Sequence, residues 1–223
     1  MEELNGRWSM DKSLTTGTDA ILKMQRIGWT LRKAVSFTTI KLEITVIPSS
    51  QSQTSSSPTQ PETPTTINIS ATLTGSLAGN KEIRILDWSR ITSQHDYFLG
   101  SCEVRSELVT GIPDEQGDIY PDFEMVSVVP DERAKRYLRG EIHENGARAV
   151  WNLSGGCRGG KGVWVHTMMW NRDVGWTVEQ IWAVEVIDGK KYHTRRIVVA
   201  DKGQYVLGKT VFSYLGGFES AKE

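Results

Sequence analysis

The feature that most restricts the fold lies in the last third of the chain. Residues 178–187, 192–200 and 204–214 are three runs rich in apolar and β-branched side chains, joined by Asp188-Gly189 and by Asp201-Lys202-Gly203. Connections of two or three residues with glycine at a positive-φ position join antiparallel neighbours, because a parallel crossover needs a dozen residues or more. The spacing therefore predicts three successive antiparallel strands, and with them a barrel or sandwich rather than a parallel α/β sheet. Glu144-Asn145-Gly146 predicts a further hairpin, between strands at 136–143 and 148–153. Strands are also expected at 68–74, 81–86, 95–105 and 163–170, with a less regular stretch over 110–131.

At the other end, Trp8 and Met10 alternate with Arg7, Ser9 and Asp11, which predicts a strand with Trp8 and Met10 on its buried side. Ile21, Leu22, Met24, Gln25 and Trp29 then recur near a helical period, after Thr18 or Asp19 as a cap. Gly28 separates this helix from a second one through Ala34, and Ile40, Leu42, Ile44 and Val46 return to a strand period. Strand, helix pair and then sheet is the order of a β-barrel closed at one end by a helical cap. Residues 48–66 are nearly all Ser, Thr, Gln and Pro. Such a segment cannot offset an ordering cost of about 1–2 kcal/mol per residue, and it is read as a mobile loop between strands.

Composition closes off several functions. The 223 residues, 38% apolar and 24% charged, fit a single β-rich domain over 1–223. Twenty-six basic against 27 acidic residues leave a net charge of -1, without the basic footprint that a phosphate backbone demands, so no nucleic-acid partner is expected. No run of about 18 apolar residues predicts a membrane-spanning helix, and Met1-Glu2-Glu3 does not open a leader, so a cytoplasmic protein without integral membrane association is expected. Cys102 and Cys157 are read as reduced thiols. The histidines at 95, 143, 166 and 193 lack metal-ligand spacing, and neither a metal nor a cofactor is expected. The run from Gly155 to Gly162 is not a phosphate loop, because its Gly-Lys is followed by Gly and then by a strand. Trp164, His166, Met168 and Trp170 fall at period two on one face of that strand. Facing a barrel interior, they would make an apolar wall with one titratable ring.

Gly6-Arg7-Trp8 with the run from Ile27 to Ala34, and Val184-Glu185-Val186-Ile187-Asp188-Gly189-Lys190, resemble the intracellular fatty-acid- and retinoid-binding proteins of the lipocalin-like (calycin) group. The first stretch is similar to that family's opening Gly-x-Trp strand and its helix pair ending in Arg-Lys, and the second to its penultimate hairpin. The resemblance implies a mainly β fold, an antiparallel up-and-down lipocalin-like β-barrel with an N-terminal helix-turn-helix cap and a hydrophobic small-molecule ligand inside. Fatty-acid-binding members clamp the ligand carboxylate with arginines of the last strands, one of them in Arg-x-Tyr. The matching triplet here is Phe212-Ser213-Tyr214, and the earlier arginine position falls on Val184, so the usual carboxylate clamp is not expected. The same register turns Gln180, Trp182, His193 and Arg195 inward and Arg196 toward solvent.

These residues define two readings. The scaffold is loosely similar to small lipocalin-like cyclases of natural-product pathways, Diels–Alder catalysts among them. In the first reading the cavity binds a hydrophobic small molecule and promotes its cofactor-independent cyclisation or isomerisation. Arg195, His193, Gln180 and Tyr214 are then the catalytic candidates, and Trp29, Trp164, His166, Met168, Trp170, Trp182 and Phe212 the ligand-binding walls. In the second, the same barrel is a non-catalytic carrier of a lipid or another hydrophobic ligand.

Overall fold

The computed structural model describes residues 1–49, 64–74, 79–96, 98–127, 131–155 and 163–218. Most of the Ser/Thr/Pro-rich loop, the glycine run after Gly155 and Cys157 lie outside the described residues. The chain is mainly antiparallel β. A 3-10 turn at Glu2–Leu4 leads into β1 (Gly6–Met10), helices α1 (Thr18–Met24) and α2 (Trp29–Phe37), and then β2 (Ile40–Ile47), β3 (Thr66–Leu73), β4 (Lys81–Ile85), β5 (Thr92–Asp96), β6 (Gly100–Pro113) and β7 (Ile119–Pro121). Helix α3 (Glu132–Arg139) precedes β8 (Val163–Trp170), β9 (Thr177–Ile187), β10 (Lys190–Asp201) and β11 (Gln204–Gly216).

The strands run in the order β4-β3-β2-β1-β11-β10-β9-β8-β6-β5, with β7 paired to the end of β6. This is a meander curled until its first strand meets its last. Among the described residues β4 and β5 share no backbone ladder. They are linked across a seam by side chains, Arg84 Nη1 donating to Gln94 Oε1 at 2.7 Å and Asn80 Nδ2 to Asp96 Oδ2 at 2.8 Å.

The opening Gly-x-Trp has a steric basis. Gly6 has φ +129, and a Cβ there would stand 2.7 Å from the Tyr214 ring and 2.8 Å from the Gly216 carbonyl oxygen, so β1 and β11 close only around glycine. Two residues on, Trp8 is fully buried and its Nε1 donates to the Leu4 carbonyl at 2.9 Å. At the other end of the barrel α1 seats Ile21 against Gly208, where a Cβ would come within 2.6 Å of Ile21 Cδ1. Helix α2 buries none of its residues, and it is held to α1 by Arg32, which pairs with Asp19 at 2.9 Å and donates to the Ile27 carbonyl at 2.8 Å.

The sheet carries a core on each face. Val165, Trp182, Val184 and Phe212 point inward with Trp8, Leu42, Ile44 and Ile69. Trp164, Ile181, Ala183 and Val198 point outward and are covered by Phe123 and by Ala134, Tyr137 and Leu138 of α3. Two expectations change as a result. Neither 136–143 nor 148–153 forms a strand: α3 runs to Arg139 and stops at Gly140 in the left-handed conformation, and Arg148 and Leu153 make only isolated bridges, although the turn at Asn145-Gly146 is present, with His143 N donating to the Ala147 carbonyl. Arg196 does not face solvent. It is buried beneath α3, where Nη1 donates to the carbonyls of Tyr137 and Ile142 at 3.2 and 2.8 Å. Among the described residues no helix is long and apolar enough to cross a membrane.

Candidate functional site

The inner face of β9, β10 and β11 gathers one polar cluster inside an apolar wall. Cross-strand register sets Arg195 opposite Trp182 and Thr210, and His193 opposite Val184 and Phe212. Side chains directly opposite on one face lie about 5 Å apart, so this register alone brings the guanidinium, the imidazole and the indole together. Arg195 Nε donates to His193 Nε2 at 2.9 Å, and His193 Nδ1 donates to the Ala183 carbonyl at 3.2 Å. The second bond places the ring proton on Nδ1 and leaves Nε2 free to accept from arginine.

His193 is therefore a neutral positioning group. Burial holds it well below the ordinary histidine value, and the adjacent Arg195 charge pushes the same way. Burial also lowers Arg195, to about 10, against the pull of Glu82 and with the added repulsion of Arg84. Arg195 remains a cation at neutral pH. Its guanidinium carbon stands 4.1 Å over the Trp182 ring and 5.5 Å from that of Phe212, and its Nη2 has no hydrogen-bond partner among the described residues. An unpaired charged donor in a low-dielectric interior costs free energy until something accepts from it, which is the arrangement that stabilises a developing negative charge. Gln180 does not supply a second free carbonyl to it: Gln180 Oε1 accepts from Trp182 Nε1 at 2.7 Å and fixes the indole.

A cavity of about 470 Å³ adjoins this cluster at the barrel end near the N-terminal turn. Trp182, Val184, Val165, Val46 and Leu4 line it, with Glu2 and Glu3 also on its wall. Trp182 belongs to both, as a wall of the cavity and as the surface on which Arg195 rests.

Several predicted site residues lie elsewhere. Trp164, His166, Met168 and Trp170 do share one face of β8, but it is the outer face, away from the barrel interior. His166 Nδ1 and Nε2 there meet Glu107 Oε1 and Glu179 Oε1, each at 2.9 Å, between the rings of Trp88 and Phe123. The reason is that β8 is covered on both sides, so its alternation carries no sign of which side is the interior. Trp29 is not a cavity wall: it sits on α2 and is 64% exposed. Tyr214 is 38% exposed at the strand end, packed edge-on against Trp8 with Lys191 Nζ 4.7 Å from its ring, and it does not join Arg195.

Sequence reasoning missed Arg84. It is buried on β4, pairs with Glu82 Oε2 at 2.6 Å and lies 5.9 Å from the Trp182 ring on its own side. Near Arg195, Arg84 and Glu82 thus act in opposite senses, while Glu2 and Glu3 stand on the wall of the cavity that Trp182 lines. The alternation Glu82-Ile83-Arg84-Ile85 points the other way, since isoleucines ordinarily take the inner face; here Ile83 is exposed.

No family model matches the chain. It is 25% identical over 211 residues to the pericyclase pydY of an Acremonium species, an alignment that takes in 94% of this chain and 90% of that protein. Among solved structures it is similar in outline to a Schistosoma mansoni fatty acid binding protein in complex with arachidonic acid, with 9% identity, 97% and 98% of the two chains covered and a TM-score of 0.48. Lipid binding protein 8 of Caenorhabditis elegans gives 14% identity, 96% of each chain and a TM-score of 0.46.

Proposed function

We propose that the barrel binds a hydrophobic polyene-type small molecule and catalyses its cofactor-independent pericyclic cyclisation, of the Diels–Alder type. The observation that carries this reading is Arg195. One edge of its guanidinium is held by a neutral histidine, its face lies on Trp182, which also lines the adjoining cavity, and its Nη2 is an unmatched donor among the described residues. The similarity to a pericyclase along nearly the whole chain supports the same class.

The chemistry fits what these residues offer. In a [4+2] closure three π bonds become one π bond and two σ bonds, and no proton, electron or leaving group moves. The reaction needs its two ends held together and the electron-poor partner polarised. Trp182, Phe212, Val165 and Val184 supply apolar surface for folding the chain of the substrate. Arg195 Nη2 donates to a carbonyl conjugated with the dienophile, and this bond strengthens as negative charge builds on oxygen in the transition state. His193 positions the arginine without exchanging a proton, and Gln180 fixes the indole.

The test uses a linear polyene bearing a conjugated carbonyl, with product formation and stereochemistry followed with and without protein. Acceleration with one stereoisomer enriched, lost in Arg195→Met while the ligand still binds, supports the reading. Tight binding with the polyene recovered unchanged would leave a carrier of hydrophobic ligands in its place.

A further inference from the structure

The pericyclic reading makes no use of the outer face of β8, yet that face holds a buried ion cluster. Both nitrogens of His166 point at carboxylate oxygens 2.9 Å away, Nδ1 at Glu107 on β6 and Nε2 at Glu179 on β9. A neutral imidazole has one N–H, so one of these contacts would set a lone pair against a lone pair. Only the imidazolium donates to both. Glu179 is itself in the acceptor-only, ionised form, because it also receives the backbone amides of Val126, at 3.0 Å, and Ser127, at 2.8 Å. The ring of Trp88 stacks on His166 at 4.5 Å and that of Phe123 lies at 4.6 Å, so the cation has a π face on either side. Arg105 continues the stack on Trp88 at 3.9 Å and reaches Trp170 at 5.2 Å.

We propose that His166 is a protonated clamp that fastens two straps, residues 86–90 and 122–127, across the outer face of the sheet, and that loss of its proton at alkaline pH releases them. Backbone bonds from Leu86 N to the Thr65 carbonyl at 2.8 Å and from Asp122 N to the Thr110 carbonyl at 3.0 Å anchor one end of each strap, and Ser127 Oγ meets Met168 Sδ at 3.7 Å. Between these anchors Trp88, Phe123 and the two amides on Glu179 each contact His166 or its carboxylate partner. The other charged groups nearby do not replace it. Arg105 is separated from the ring by Trp88, Asp87 and Arg90 pair with one another at 3.1 Å, and Asp122 and Glu124 on either side of Phe123 are exposed. Trp164 and Met168, its neighbours on the same face of β8, carry no charge.

Burial alone would lower His166, but its hydrogen bonds to Glu107 and Glu179 outweigh that and hold it above the ordinary value. The clamp is then fully engaged below about pH 6.5 and is lost as pH rises through the folded-state value of His166. The test is amide hydrogen exchange on the full chain from pH 6 to 10, corrected for intrinsic rates, with the His166 ring followed by NMR. Protection of Val126 and Ser127 should fall more than tenfold as the ring titrates, while β10 amides stay protected. His166→Gln should show low protection of those two amides and no step. Should that variant not fold, Glu107→Gln, which removes one carboxylate from the accessible side, should move the step to lower pH. A ring already neutral at pH 6.5, protection that does not change through its titration, or a step unmoved in Glu107→Gln would overturn the proposal.

Discussion

Two histidines of the same sheet, His166 on β8 and His193 on β10, are both fully buried and sit on opposite faces. Burial pushes each toward the neutral form. On the outer face two carboxylates reverse that push and His166 is held as a cation. On the inner face a guanidinium adds to it, and His193 stays neutral with Nε2 as an acceptor. The sign of the partner, not the depth of burial, separates a structural ion cluster from a neutral group that can aim an arginine. The outer face sets two carboxylates against its histidine, although Arg105 Nε, Trp164 Nε1 and Arg196 Nε there have no hydrogen-bond partner among the described residues, just as Arg195 Nη2 has none on the inner face.

The two faces should fail differently. Glu179→Ala strips the outer cation of its buried partner and removes the acceptor of two amides, and breaking a buried pair costs about 3–5 kcal/mol. It is expected to lower the denaturation midpoint strongly, with turnover per folded molecule unchanged. Arg195→Met is the inner counterpart. It should cost about 10²-fold in kcat, the scale of one lost donor to a developing oxyanion, with a smaller loss of stability. Equal effects of both variants on turnover would erase the distinction.

The pH dependence sharpens it further. His166, raised in the folded state, contributes stability below about pH 6.5 that disappears as pH rises through its folded value. His193, lowered in the folded state, withdraws stability as pH falls below about 6.5 toward its own folded value. Together these two groups place a stability maximum near pH 6.5. Denaturant midpoints across pH should show the alkaline decline vanish in His166→Gln and the acid slope contributed by His193 persist. The smallest effect is expected at the cap: Trp29→Ala, on an exposed helix face, should change stability by no more than about 0.5 kcal/mol by the same measurement.

How much of this was legible in the sequence follows from what each pattern encodes. The three C-terminal strands, the opening Gly-x-Trp strand and the cap helices were readable because turn glycines and hydrophobic period are local properties. Relative parity along β9, β10 and β11 was readable too, since tight hairpins fix register. Which face was interior on β8 was not, because Phe123 and helix α3 cover its outer side with a second core. Trp164 and His166 were thereby assigned to the wrong compartment. Helix α3 was missed because Asn145-Gly146 suggested strands on both sides, whereas the preceding segment ends at Gly140 as a helix capped by Asp131. Arg84 had no readable signal: its burial depends on Glu82 beside it and on Gln94 across the seam, and that pairing exists only once the sheet has curled.

The most direct test of the two-face account uses the eight tryptophans as reporters. With the indole N–H resonances assigned, titration with the conjugated polyene should shift Trp182, and Trp8 beside the same cluster, while Trp164 and Trp170 stay in place. Shifts at Trp164 and Trp170 with Trp182 unmoved would put the ligand on the outer face and contradict the assignment of the site.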